Sequence, residues 1–77
     1  MSIISEDIVL QALSHKIRRK ILYLLEQSPK SYTELLSFFD ISNGKLNYHL
    51  TQLSGFIRKQ DDQQYEITPL GKKAIAI

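Results

Sequence analysis

Apolar positions along the chain recur first with a helical period and then with an extended one. Ile8, Val9, Ala12 and Leu13 share one face of a first helix expected over about Ser5 to Leu13. Ser5 suits its cap, and Glu6 and Asp7 complement the positive end of its dipole. Ile3 and Leu10 point away from that face and leave apolar surface for a partner. Ile17, Ile21, Leu24 and Leu25 repeat at i, i+4, i+7 and i+8, the pattern of a buried stripe. They predict a second helix over about His15 to Gln27, with Ser14 as its cap, broken by Ser28-Pro29-Lys30. A short third helix is expected from a Thr33 cap to near Asp40, with Leu35, Leu36 and Phe39 inward. A tight turn through Asp40 and Ile41 then leads to a fourth helix, capped by Ser42 and closed by Gly55. Leu46, Leu50 and Leu53 form its inner stripe, and Lys45 stands where a capping box would carry Glu or Gln.

The period then changes. Phe56-Ile57-Arg58-Lys59-Gln60 and Gln64-Tyr65-Glu66-Ile67 alternate apolar and polar residues, so two strands are expected, joined at Asp61-Asp62-Gln63. Thr68 and Pro69 are a cap and a first helical residue, opening a last helix with Leu70, Ala74 and Ile75 inward. The fold class is therefore mainly α with a small β-hairpin. The order helix, helix, helix, tight turn, helix, hairpin, helix is that of a winged helix-turn-helix. The 77 residues suffice for a single domain over positions 1–77. A chain of this size buries only ~60% of its unfolded surface, so cover from a partner is useful to it.

Composition narrows the function. The absence of cysteine removes disulfides, thiolate metal ligands and thiol chemistry together. The two histidines, His15 and His49, stand far apart in sequence, so no metal site and no cofactor are expected. His49 lies about 60° from Leu46 at the core margin and reads as structural. Glu6-Asp7 and Asp61-Asp62 are adjacent acids that project apart. No nucleophile-base pattern or phosphate-binding glycine loop is present, so an enzyme is not expected. No apolar run is long enough to span a membrane, and no basic segment precedes an apolar one at the start, so a cytoplasmic protein is expected.

The net charge of +2 says little, but its distribution says more. Lys16, Arg18, Arg19 and Lys20 place four of the ten basic residues within five positions, a local patch able to hold phosphates. Arg18 and Arg19 are also placed to pair with acids such as Glu26 or Glu66. On the fourth helix, Gly44, Tyr48 and Thr51 point away from the Leu46 face, flanked by Lys45 and Gln52 on one side and Asn43 and Asn47 on the other. That face is rich in donors and holds no carboxylate. Asn and Gln pair with adenine, Lys donates to guanine or phosphate, and Gly44 lets backbone approach closely.

Four segments resemble ArsR-like winged-helix regulators of the archaeal type. They are Ala12 to Leu22, Ile41 to Leu53, Gly55-Phe56-Ile57 before the wing, and Tyr65 to Gly71 after it. The resemblance spans about Val9 to Ala76. It implies a homodimeric transcriptional regulator that binds double-stranded DNA, expected to act as a repressor. The implied DNA contacts fall on Ser42, Asn43, Lys45, Asn47 and Tyr48, and the residue reading adds Gly44, Gln52, Arg19, Arg58 and Lys59. The dimer is expected through the first and last helices, covering Ile3, Leu10 and Ile77. Metal-sensing members carry a cysteine motif where this chain has Thr33 to Asp40, so metal sensing does not follow. The acidic wing tip, Asp61-Asp62, opposes deep insertion into a groove. The competing reading is a winged-helix module that binds protein within the transcription machinery; single-stranded nucleic acid is a weaker third, because Tyr48 alone offers a stacking platform.

Overall fold

The computed structural model describes residues 6–76. Five helices and three strands follow in the order α1 (Glu6–Leu13), α2 (Lys16–Gln27), β1 (Lys30–Ser31), α3 (Tyr32–Ser37), α4 (Asn43–Gln52), β2 (Ile57–Lys59), β3 (Gln64–Ile67) and α5 (Pro69–Ile75). The expected cap Ser5 and the expected seam residues Ile3 and Ile77 lie outside the described residues, as do the side chains of Glu6, Asp7 and Ile8.

The core forms where the helical stripes converge. Ile21, Leu22 and Leu25 of α2, Leu35 of α3, and Leu46 and Leu50 of α4 are buried with Ala12, Leu53, Phe56, Ile67 and Ala74. Burying each large apolar side chain is worth about 1.5–3 kcal/mol. Helix α2 lies at the centre of this core, against α1, α4, α5 and β3.

Helix α3 stops at Ser37, short of the expected end near Asp40, and three other boundaries differ from expectation for local reasons. His15 caps α2 in place of Ser14: its backbone is extended and its Nδ1 accepts the Ile17 N–H at 3.2 Å. Ser31 caps α3 in place of Thr33. Glu34 stands three residues after Ser31, so a reciprocal capping box closes there: Ser31 Oγ accepts the Glu34 N–H at 3.1 Å and Glu34 Oε1 accepts the Ser31 N–H at 2.9 Å. Those bonds hold the Glu34 carboxyl below its usual value. Helix α4 ends at Gln52, and Gly55, at φ +92°, serves the chain reversal three residues later that leads into β2.

The hairpin is part of a three-stranded antiparallel sheet of order β1-β3-β2. The strand β1 was not expected. It pairs Lys30 with Tyr65 and Ser31 with Gln64, while β2 pairs Ile57 with Ile67, Arg58 with Glu66 and Lys59 with Tyr65. Lys30 is buried, with its Nζ 2.8 Å from Ser28 Oγ. At the hairpin tip Gln63 takes a positive φ of 70°, and Asp62 Oδ1 accepts the Gln64 N–H at 3.0 Å. Thr68 caps α5 as expected, and its Oγ1 also donates to Gly55 O at 2.7 Å, fastening α5 to the start of the wing.

Candidate nucleic-acid interface

Helix α4 is presented by its neighbours. Ser42 caps it, with Oγ accepting the Lys45 N–H at 3.2 Å. Leu46 and Leu50 anchor its inner face in the core. Asn43, Gly44, Lys45, Asn47, Tyr48 and Thr51 are all exposed, whereas Gln52 is half-buried. Tyr48 is 56% exposed, so a large amphipathic ring stands on the outer surface without entering the core. Thr51 Oγ1 donates back to Asn47 O at 2.9 Å. The first turn of α4 is also braced from α3: the Tyr32 hydroxyl lies 3.1 Å from Asn43 Oδ1 and 3.2 Å from Asn43 O.

His49 occupies the back of α4 and is 5% exposed. Its ring lies 4.5 Å from that of His15 across the α2–α4 junction, so the two histidines distant in sequence meet in space. Burial, then the positive neighbours His15, Arg18 and Lys45, hold the His49 imidazole below its usual value. Among the described residues, no three of His, Cys, Asp and Glu converge as metal ligands would.

Between α4 and the wing runs an open groove of about 460 Å³, bordered by Asn47, Thr51 and Ser54 on one side and by Arg58, Lys59 and Tyr65 on the other. Lys59 reaches it with its ammonium 5.6 Å from the Tyr65 ring centre. The basic residues expected to share phosphate contact have different settings. Arg58 pairs with Glu66 on the neighbouring strand, and Gln60 donates to the same carboxylate. The Arg58 bond is the main reason the Glu66 carboxyl lies below its usual value. Glu66 is thus the partner of Arg58, where the sequence had offered it to Arg18 or Arg19. Arg19 donates through Nη1 to Leu13 O at the end of α1, and Arg18 is buried. Sequence reasoning missed Tyr32 at this face, because its contact with Asn43, eleven residues on, depends on how α3 packs beside α4.

The arrangement is that of a winged helix-turn-helix: α3 and α4 flank a tight turn, and β2 and β3 form a wing beside the exposed face of α4. The chain belongs to the family described as "Domain of unknown function (DUF7347)", which matches residues 6–77. A crystal structure of an ArsR family transcriptional regulator is similar, with a TM-score of 0.79 and 27% sequence identity over 91% of this chain and 82% of that chain. No curated protein matches the chain. Among the described residues, no helix is long and apolar enough to cross a membrane.

Proposed function

We propose that this protein is a sequence-specific double-stranded DNA-binding transcriptional regulator that lays α4 in the major groove. The observation that carries the reading is the outer face of α4: Asn43, Lys45, Asn47, Tyr48 and Thr51 are exposed together, with no carboxylate among them. The major groove admits one helix, and its base edges carry a code that such donors read. The similar ArsR family structure, a transcriptional regulator, supports the same reading. The neighbouring groove gives the DNA backbone a path past Lys59 and Thr51.

The protein acts as a homodimer through α1 and α5. Leu10 on α1 is 59% exposed, an apolar side chain that a second copy covers. A two-fold pair sets two α4 helices about 34–36 Å apart, one DNA turn. The resemblance to ArsR-like regulators favours repression as its action.

A mobility-shift series from low to moderate salt tests the reading. If a dimer neutralises ~6 phosphates, log K falls against log salt with a slope of roughly −5. Failure to bind any duplex at low salt overturns it and leaves the protein-binding reading, which the acids Asp61 and Asp62 at the wing tip favour. Sedimentation equilibrium at micromolar concentration tests the dimer.

A further inference from the structure

We propose that the Tyr32 hydroxyl sets which base edges Asn43 reads, turning the Asn43 amide into a donor that selects acceptor-bearing bases, guanine first. The proposal rests on the DNA-binding reading above and names a specificity determinant within it.

The contact joins the first residues of the two helices of the helix-turn-helix. Tyr32 opens α3, with its ring packed against the core. Asn43 opens α4 and is exposed. The phenol oxygen lies 3.1 Å from Asn43 Oδ1 and 3.2 Å from Asn43 O. Both neighbours are acceptors, so Tyr32 is the donor and its single phenolic proton is shared between them. Holding Oδ1 toward α3 leaves the amide nitrogen, with its two N–H groups, as the free end of the side chain.

That orientation has a consequence for readout. A bidentate pairing of asparagine with adenine uses the amide oxygen to accept from N6 and the amide nitrogen to donate to N7. With Oδ1 turned toward Tyr32, the amide nitrogen is the outward group, and it is a donor alone. Guanine offers N7 and O6 as adjacent acceptors, and thymine offers O4. Cytosine presents the N4 donor, which meets the amide N–H groups unfavourably. The N-terminal turn of a recognition helix is also where side chains touch base edges. One or two such hydrogen bonds correspond to a discrimination of about five- to tenfold. Tyr32 itself is a positioning residue: it acts through Asn43.

The test is a selection of bound sequences from random duplex DNA, run on wild type, Asn43→Ala, Asn43→Asp and Tyr32→Phe, with a thermal melt to verify each fold. Wild type is expected to prefer guanine or thymine at the one position per half-site that Asn43→Ala levels. Tyr32→Phe keeps the ring and loses the donor. It is expected to cut discrimination at that same position below about threefold while leaving the other positions unchanged. Asn43→Asp keeps an acceptor for Tyr32 but removes the outward donor, so its preference at that position should vanish or move to cytosine, whatever the behaviour of Tyr32→Phe. A Tyr32→Phe profile identical to wild type overturns the proposal. So does a wild-type preference for cytosine there, or for adenine over guanine, because either is explained only by Oδ1 facing the base and accepting from N4 or N6. If wild type selects no sequence at all, the DNA-binding reading itself fails, a result distinct from an unchanged Tyr32→Phe profile.

Discussion

Gly71 is where one added carbon should do most damage. It is buried in the first turns of α5, and a Cβ built there stands 2.2 Å from Phe56 O, 2.6 Å from Ile67 Cγ1 and 3.2 Å from Ile67 Cδ1. Ordinary contact needs more than 3 Å, so α5 and the wing base must separate by about 1 Å. Phe56 O cannot swing aside: it is backbone, and it accepts the Thr68 N–H at 3.0 Å. Lifting α5 therefore strains that bond and the Thr68–Gly55 bond together. Overpacking costs about 1–3 kcal/mol, and two weakened hydrogen bonds add about 0.5–1.5 kcal/mol each. Alanine returns about 1 kcal/mol of helix propensity. Gly71→Ala should thus destabilise by about 1–5 kcal/mol, centred near 3, a large share of the stability expected of so small a domain. Urea unfolding followed by circular dichroism measures it, with an expected fall in midpoint of about 2 M. Gly44→Ala is the control, since the nearest atom to its Cβ is Ser42 Oγ at 3.9 Å, and it should gain about 0.5–1 kcal/mol. A Gly71→Ala midpoint at or above wild type refutes the close-approach argument, and an equal fall in both variants shows that glycine content, not geometry, governs the result.

Three further outcomes are expected. Asn47→Ala should lose about 1–3 kcal/mol of affinity on a preferred duplex and little on a scrambled one, whereas Lys59→Ala should weaken both and lower the salt slope by about one per subunit; equal loss on both duplexes for Asn47→Ala would mean the reader face is misassigned. Replacing Asp61 and Asp62 by Asn keeps an Oδ1 acceptor for the Gln64 N–H and removes two charges that repel phosphate, so titration should show tighter binding to both duplexes; weaker binding would point to a protein partner at the wing. His49 gains its proton at lower pH when folded than when unfolded, so its contribution to stability is complete above about pH 6.5 and declines as pH falls below that; urea unfolding at pH 7.5 and 5.5 should show the decline, His49→Gln should reduce it, and an unchanged slope in the variant would contradict the assignment.

The sequence was most readable where one physical signal acted alone. The 3.6-residue stripe of α2 and the Ser42 and Thr68 caps stand where expected, because periodicity and capping are local. The outer face of α4 followed from geometry once Leu46 was placed inside, since a helix leaves no freedom in which residues share a face. Legibility failed where two local signals competed or where partners came from afar. Ser31 and Thr33 are both good caps, and the reciprocal Glu34 bond decides between them. Strand β1 has two residues, too few for any period, and exists because β3 offers it an edge. The meeting of His15 with His49, the Arg58–Glu66 pair and the Tyr32–Asn43 contact all depend on tertiary placement.

These pairings change how affinity and specificity divide in the proposed complex. Counted by type, the chain has ten basic residues, but several of those around α4 and the wing already have work within the fold. Arg58 neutralises Glu66, Arg19 holds the Leu13 carbonyl, and Arg18 is buried. Lys45 and Lys59 remain exposed beside the outer face of α4 and its groove. Two or three phosphate contacts give one copy a salt slope of only about −2 to −3, too shallow to hold a site by charge. Doubling the contacts through a two-fold pair restores the slope of about −5 expected of the dimer. Within each copy, Asn43, Asn47 and Tyr48 are neutral, so what they add depends on base identity more than on salt. A measured slope near −5 from a protein that sediments as a monomer would therefore place further cations, such as Lys16 and Lys20 on α2, on the DNA and move the bound face away from α4.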